Sequence, residues 1–138
     1  MTEVKLNDDD LEIGIDGEVP VFRLRGLLYS GRVNEVMRGK RVSTCVVRDG
    51  YKDGEELLFS EAGELSGRLQ YSGGLAHGRV EYFHPGGALQ EEASFEFGIC
   101  LESTCYDQTG AVTRREKLQP GSSQHDCLER FRRQARGS

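Results

Sequence analysis

The sequence predicts a mainly β protein, a meandering antiparallel sheet of repeated β-hairpins with a short C-terminal amphipathic helix. Three observations predict this fold: a pattern of aromatic residues and glycines that recurs every 24 residues, alternation of apolar and polar residues, and a switch to helical spacing near the end. A chain of 138 residues favours a single globular unit. We expect a β-hairpin repeat domain over 1–120, clearest at 54–99, and a helix or tail over 121–138.

The repeat is visible when the segment LFSEAGELSGRLQYSGGL (58–75) is set against YFHPGGALQEEASFEFGI (82–99). The matched positions are Phe59 with Phe83, Gly63 with Gly87, Leu65 with Leu89, Tyr71 with Phe95, and Gly74 with Gly98. A period of 24 fits two short strands and two turns, and an even period keeps every side chain on its face. Weaker copies extend back to about residue 39 and forward to about residue 118.

The predicted elements follow in chain order. The segments LEIGID, VPVFRLRG and LLYSGRV are typical of short strands, and the repeats add further hairpins, for roughly eight to eleven strands in all. Glycines in EAGE, PGGA and SGGLAHG supply the positive φ angles that hairpin turns require. We expect one buried face to collect the repeated apolar side chains, which are Phe59, Leu65, Leu69, Tyr71, Phe83, Leu89, Phe95 and Phe97.

The C-terminal segment predicts a helix over 124–135. A Pro-Gly pair precedes it, Ser123 stands three residues before Asp126 as in a capping box, and apolar residues recur at helical spacing. Arginines crowd the opposite side. Such a helix fits two roles, capping one end or edge of the sheet or contacting a membrane or an acidic partner.

The pattern F-x-x-x-G-x-L-x-x-x-x-x-Y-x-x-G at 59–74, with its copy at 83–98, resembles MORN-variant repeats. Chains built mainly of this variant look like the bacterial toxin–antitoxin-associated family, whose members act as antitoxins or immunity proteins. The resemblance implies a hairpin-repeat sheet and a cognate toxin as partner. MORN-type sheets also occur in scaffolds and membrane-associated proteins. Residues 1–38 and the C-terminal helix depart from the pattern.

Charge and composition narrow the classes of partner and compartment. The net charge of −5 disfavours non-specific binding to nucleic acid, although acidic blocks (1–20 and 51–102) alternate with basic ones. The sequence has no run of 18 apolar residues, so it predicts no membrane-spanning helix, and the acidic N-terminus does not resemble a secretion signal. We therefore expect a cytoplasmic protein with four free thiols. Cys100 and Cys105 are predicted to point to opposite faces of one strand.

No motif indicates catalysis, a cofactor or a metal site. The sequence lacks P-loop, G-x-G-x-x-G, H-E-x-x-H and G-x-S-x-G motifs, and no cysteine pair has zinc-ligand spacing. His77 and His84 are predicted to be solvent-facing turn residues. In QHDC (124–127), neighbouring residues on a helix do not face one another, so a Cys–His nucleophile is not indicated. We expect a protein that is not an enzyme.

The predicted binding surface is the polar face of the repeat strands with the rim at one sheet edge. Its candidate residues are Glu55, Glu56, Arg68, Gln70, Glu92, Ser94 and Glu96. Glu55 and Glu56 are predicted to lie near the turns at the sheet edge, and the other five on the polar face. An acidic surface would suit a toxin whose basic cleft binds nucleic acid or a nucleotide. The hypothesis is an immunity or antitoxin protein that occludes the active site of its toxin. The alternative is a non-enzymatic scaffold or membrane-associated interaction protein, and the same charges also fit a merely solvated face.

Overall fold

The computed structural model describes residues 1–137 and confirms the predicted fold class. Within those residues the chain forms thirteen strands and one helix, more strands than the sequence suggested. The elements are β1 (Glu3–Lys5), β2 (Leu11–Asp16), β3 (Val19–Leu24), β4 (Leu27–Leu28), β5 (Gly31–Met37), β6 (Lys40–Arg48), β7 (Tyr51–Phe59), β8 (Leu65–Ser72), β9 (Leu75–Ala76), β10 (Gly78–Phe83), β11 (Leu89–Glu96), β12 (Ile99–Tyr106), β13 (Val112–Lys117) and α1 (Ser123–Arg136).

The strands form two sheets. The large sheet has ten strands in the order β1-β5-β6-β7-β8-β10-β11-β12-β13, with β9 paired to β8. All its pairings are antiparallel except that of β1 with β5, which is parallel. The small sheet has the order β2-β3-β4 and is antiparallel. The sequence predicted one meander, so the separate small sheet is a feature that it did not indicate.

Each repeat unit shares a backbone irregularity, a shift in strand register, as well as the same residue types. A register shift falls at Glu35/Val36, Leu58/Phe59, Tyr82/Phe83 and Cys105/Tyr106, at spacings of 23, 24 and 23. The second turn of each unit places two residues in succession at positive φ, the geometry of a type I′ hairpin. Those turn pairs are Asp49–Gly50, Gly73–Gly74 and Phe97–Gly98.

The same turns connect consecutive units. The amides of Gly50, Gly74 and Gly98 each donate a 2.8 Å hydrogen bond to a carbonyl in the preceding unit. The acceptors are the carbonyl oxygens of Tyr29, Lys52 and Ala76, at intervals of 23 and 24 residues. Each unit is therefore joined to its neighbour by the same main-chain contact as well as by strand pairing.

The register shifts overturn the prediction of a single buried apolar face. Leu69 pairs with Glu56, and Leu58 pairs with Gly67, so these residues share what we call the inner face of the large sheet. Phe59 follows Leu58 directly, and strand alternation turns its side chain to the other face. Phe83 follows Tyr82 in the same way. Phe97 lies in a turn rather than in a strand.

Burial of the predicted apolar set is also lower than expected. Of its eight members only Leu69 is buried, and the other seven are partly exposed. The main core lies where the small sheet packs against the first strands of the large one. Its buried members are Leu11, Phe22, Tyr29, Val33, Cys45 and Val47. Residues 1–38, which depart from the repeat pattern, thus supply much of the core.

Helix α1 spans Ser123–Arg136, close to the predicted 124–135. Its N-cap is Ser122, whose Oγ accepts a 3.1 Å hydrogen bond from the amide of His125, and not the predicted Ser123. Leu128 is fully buried, and the ring of Phe131 stacks on Phe97 with centroids 5.4 Å apart. The helix therefore packs against the turn that joins β11 and β12, the capping role among the two that the sequence allowed.

Candidate functional site

One face of the large sheet carries a row of side chains that are polar or charged at every position except one leucine. Residues that are direct cross-strand partners lie on one face about 5 Å apart. Following the partners from strand to strand gives Asn34, Thr44, Leu57, Arg68, Glu81, Glu92, Thr104 and Arg115. Together with the neighbouring residues Glu55, Gln70, Arg79, Ser94 and Glu102, this row forms what we call the charged face.

Ion pairs organise the middle of the charged face. Arg68 lies between Glu55 and Glu81, with N–O distances of 3.5 and 3.7 Å. Arg79 lies between Glu81 and Glu92, at 3.4 and 2.6 Å. The predicted acidic surface is therefore a lattice of alternating charges. Because each arginine bridges two glutamates from different strands, the side chains are held in defined positions before any partner arrives.

Two of the predicted residues complete this surface. The amide of Gln70 donates a 3.3 Å hydrogen bond to Glu55, so it belongs to the same lattice. Ser94 is the cross-strand partner of both Arg79 and Glu102, and the three side chains line a shallow open depression with Glu92. The structure brings Arg68, Gln70, Glu92 and Ser94 together on one face as the sequence predicted, and it adds Glu55 to them from the middle of β7.

Glu92 is also tied to the next unit. The hydroxyl of Tyr106 donates a 2.6 Å hydrogen bond to Glu92 Oε1. This bond to a carboxylate is the main reason that the pKa of Tyr106 lies above its ordinary value. Tyr106 was not among the predicted site residues. The signal that could have found it is its position at the repeat offset from Phe83, where a tyrosine adds a hydroxyl to an aromatic position.

Glu96 has a structural partner. Arg132 of α1 donates two hydrogen bonds to its carboxylate, from Nε at 2.8 Å and from Nη2 at 3.0 Å. The paired guanidinium holds the pKa of Glu96 below its ordinary value, against the opposing effect of burial. Glu96 thus anchors the helix to the sheet. The sequence predicted that its carboxylate binds a partner protein, whereas in the structure it binds Arg132 of the same chain.

Glu55 and Glu56 lie in the middle of β7, and the prediction that they sit near a turn at the sheet rim is wrong. Alternation separates the two. Glu55 joins the charged face, while Glu56 points to the inner face, where it is buried and pairs with Lys52 at 2.9 Å. Burial, followed by the nearby Glu56 carboxylate, raises the pKa of Tyr71. Glu56 is therefore part of a buried polar cluster and not of the candidate surface.

The histidines and cysteines hold structural positions. His77 is exposed, and its Nδ1 accepts a 3.2 Å hydrogen bond from the amide of Phe97. His84 is partly buried, and its Nε2 lies 2.8 Å from the carbonyl oxygen of Tyr106, so it does not face solvent as predicted. A register shift pairs Cys100 with Phe95 and Cys105 with Glu91, which places both thiols on one face and not on opposite faces.

All four cysteines are free, with Cys45 buried and the other three partly exposed. Among residues 1–137 there is no cluster of three or more His, Cys, Asp or Glu side chains placed to hold a metal ion. In the same residues no helix has the length and the apolar character that crossing a membrane requires.

Comparison with solved structures finds distant similarity only, as one example shows. No protein-family model matches the chain, and no curated protein matches it. A solved structure described as accessory secretory protein 1, 2 and 3 in Streptococcus pneumoniae is similar at 17% identity and a TM-score of 0.40. The match covers 83% of this chain and 18% of that chain, so this chain spans less than a fifth of the length of the protein it matches.

Proposed function

We propose that this protein is a non-enzymatic binding protein of the antitoxin or immunity type, which neutralises a cognate toxin by occluding its active site. The charged face carries the proposal. A row of direct cross-strand partners runs across eight strands, and arginine bridges fix its central side chains. Complementary charge of this kind speeds encounter and fixes the register of a protein complex.

The chemistry of the face describes the partner. Between β7 and β12 it presents four glutamates (Glu55, Glu81, Glu92, Glu102) and two arginines (Arg68, Arg79). A toxin cleft that binds nucleic acid or a nucleotide is rich in basic groups, which can pair with the excess glutamates. The two arginines favour a partner that also offers acidic groups at defined positions. Because they repel basic groups elsewhere, the face selects its own partner over other basic proteins.

The sequence resemblance to MORN-variant repeats of the toxin–antitoxin-associated family supports the same proposal. A cytoplasmic location, where reduced thiols persist, is part of the proposal and fits the four free cysteines. The alternative role as a membrane-associated scaffold rests on the basic helix and on the occurrence of MORN-type sheets in such proteins. The apolar side of that helix contacts the protein itself, through the buried Leu128 and through Phe131.

The test uses charge reversals that spare the fold. Glu55→Lys combined with Glu102→Lys changes two exposed sites of the charged face. Loss of the exposed Glu55–Arg68 pair costs at most about 1 kcal/mol. Glu92 and Glu96 are avoided because they hold Tyr106 and Arg132. The matched control is Glu116→Lys on the neighbouring strand β13. Glu116 is exposed and is the cross-strand partner of Ser103, on the inner face.

The wild type and the control should capture the same protein from the source cell. When that protein is toxic to cells that produce it, both should protect those cells. The double variant should bind that protein at least about tenfold more weakly, since two charge pairs are replaced by repulsions. Equal protection by the double variant would show that the charged face is not the interface. If the captured protein is harmless, or if the wild type sediments with phospholipid vesicles instead, the antitoxin proposal is wrong.

A further inference from the structure

Strand β2 (Leu11–Asp16) forms an exposed edge of the small sheet. On one side it pairs along its whole length with β3, and within residues 1–137 no strand pairs with its other side. Only Leu11 is buried. Ile13 and Ile15 are 47% and 78% exposed, and the space beside Gly14 is open. Half of the backbone N–H and C=O groups of an edge strand point outward and can pair with another chain.

The side chains of β2 alternate strictly. Leu11, Ile13 and Ile15 lie on the face that continues the core, because Leu11 and the Ile13 partner Phe22 are both core members. Glu12 and Asp16 lie on the opposite face, where Glu12 is the cross-strand partner of Arg23 and one Asp16 oxygen accepts a 2.8 Å hydrogen bond from the Tyr51 hydroxyl. The apolar row therefore begins in the core and runs out to the end of the strand, where nothing in the described chain covers it. Further acidic residues, Asp8 to Asp10 and Glu18, flank the strand.

The two sheets treat their edges differently. Proteins usually protect an edge strand with lysine, arginine, proline or a bulge, which discourages pairing with other chains. β13, at the end of the large sheet, carries Arg114, Arg115 and Lys117 and has a register shift. β2 has no basic residue, no proline and an unbroken register with β3. The edge of β2 is thus left open to strand pairing.

We propose that β2 is a docking site for an extended strand of a partner protein, a strand in which apolar and basic residues alternate. Such a strand continues the small sheet, covers Ile13 and Ile15 with its apolar side chains, and sets its basic side chains against Glu12 and Asp16. The inference deepens the proposed function by naming a second contact, and it rests on that proposal for the statement that a partner protein is bound.

A second copy of this chain is a poorer occupant. Two β2 strands that pair antiparallel about Gly14 set Glu12 of each copy opposite Asp16 of the other. Parallel pairing in register stacks Glu12 on Glu12 and Asp16 on Asp16. Like charges directly opposite one another destabilise a strand pair, so both arrangements oppose self-association. The same acidic residues favour a basic strand.

The test uses a seven-residue peptide of alternating valine and lysine, with the isotope-labelled full-length protein observed by NMR. Binding should slow hydrogen exchange at the outward amides of residues 11–16. A peptide N-methylated at alternate residues, which cannot complete the backbone pairing, should not have this effect. Ile15→Lys should weaken peptide binding at least about tenfold, because it removes the exposed apolar contact and adds a repulsive charge.

Leu27→Lys is the matched control, since Leu27 is 74% exposed in β4 at the other edge of the same sheet and the change adds the same charge. It should leave binding within about twofold of the wild type. Equal losses from both lysine variants, or equal binding of the N-methylated peptide, would overturn the proposal. The two proposals fail separately, because a toxin captured as strongly by Ile15→Lys as by the wild type removes only the β2 site. Peptide binding at β2 without any neutralised toxin removes only the antitoxin function.

Discussion

Glu96 shows how one carboxylate joins the two parts of the chain that differ most in sequence. It lies at the end of β11, in the repeat region, and its partner Arg132 lies 36 residues later in the helix. The pair is partly shielded, with about a third of each side chain exposed. A bidentate contact between a guanidinium and a carboxylate is stronger than most surface ion pairs, and its worth depends on the charge of the carboxylate.

This contact makes helix docking depend on pH. The folded-state pKa of Glu96 lies below its ordinary value of 4.5. The contribution of the Glu96–Arg132 contact to the free energy of unfolding is therefore fully present above pH 4.5. It is lost as the pH falls through the lower, folded-state pKa. Glu96→Gln should cost about 0.5–1 kcal/mol in unfolding free energy at pH 7 and progressively less below pH 4.5, measured by denaturant unfolding followed by circular dichroism.

Glu102→Gln is the control, because Glu102 is exposed on the neighbouring strand, and it should change stability by less than about 0.5 kcal/mol at either pH. A loss for Glu96→Gln that stays the same at pH 3 and pH 7 would show that the carboxylate charge does not hold the helix.

At the residue scale the sequence predicted positions better than roles. It placed Arg68, Gln70, Glu92 and Ser94 on one face, because period-2 alternation assigns faces within a regular strand, but it set Glu55 near a turn at the sheet edge. It could not assign Glu96 to a helix anchor or Glu56 to a buried pair with Lys52. Those roles depend on which side chain of another element packs against each carboxylate. Alternation within a strand carries no information about such tertiary contacts. β7 also has glutamates on both faces, so its pattern does not distinguish the buried one.

At the element scale the turn glycines fall into two classes that the sequence does not separate. Gly63 and Gly74 both have positive φ, 82° and 91°. A Cβ on Gly63 would meet nothing within 4 Å. A Cβ on Gly74 would fall 2.2 Å from Cγ1 of Val19 and 3.3 Å from the ring of Tyr51. Gly74 therefore serves both the turn and the packing of the small sheet on the large one.

Alanine substitutions should separate these two demands. Gly63→Ala should cost about 1–2 kcal/mol, the strain of a Cβ at positive φ. Gly74→Ala should cost about 1–3 kcal/mol more, because Val19 must move to admit the new methyl group. Thermal or chemical unfolding of both variants gives the comparison. Equal losses would mean that Val19 does not pack against this turn.

The repeat predicted the hairpins and their glycine turns, and the structure confirms both. It misassigned Phe59 and Phe83, because a register shift immediately before each of them changes which residues are opposite one another. A single extra residue in a strand leaves the spacing of the repeat unchanged, since every unit carries the same irregularity. The separate small sheet was also beyond prediction, because short strand patterns do not show which sheet a strand joins.

At the scale of the whole molecule the large sheet is open on much of both faces. The described chain exposes 8889 Å², whereas a compact protein of this mass exposes about 7,200 Å². The buried cluster lies at one end, under the small sheet, and β13 at the other end has six exposed residues of six. Each hairpin in such an array contacts mainly its neighbours, so stability is distributed along the array.

Hydrogen exchange should record this gradient. Amides of β6 around the buried residues Thr44 and Cys45 should exchange at least about tenfold more slowly than paired amides of β13, since the latter open without disturbing the core. The measurement is residue-resolved exchange of the native protein at neutral pH. Uniform protection from β5 to β13 would show instead that the sheet opens as one cooperative unit.

The regular spacing of the register shifts has a consequence for evolution. Every 23 or 24 residues contribute two strands, joined to the preceding pair by the same turn and the same glycine hydrogen bond. Neighbouring strands lie about 4.8 Å apart, so each duplicated or deleted unit lengthens or shortens the molecule by roughly 10 Å. Duplication or deletion of whole units can therefore change the length of the protein in fixed increments, while the geometry of every remaining unit stays the same.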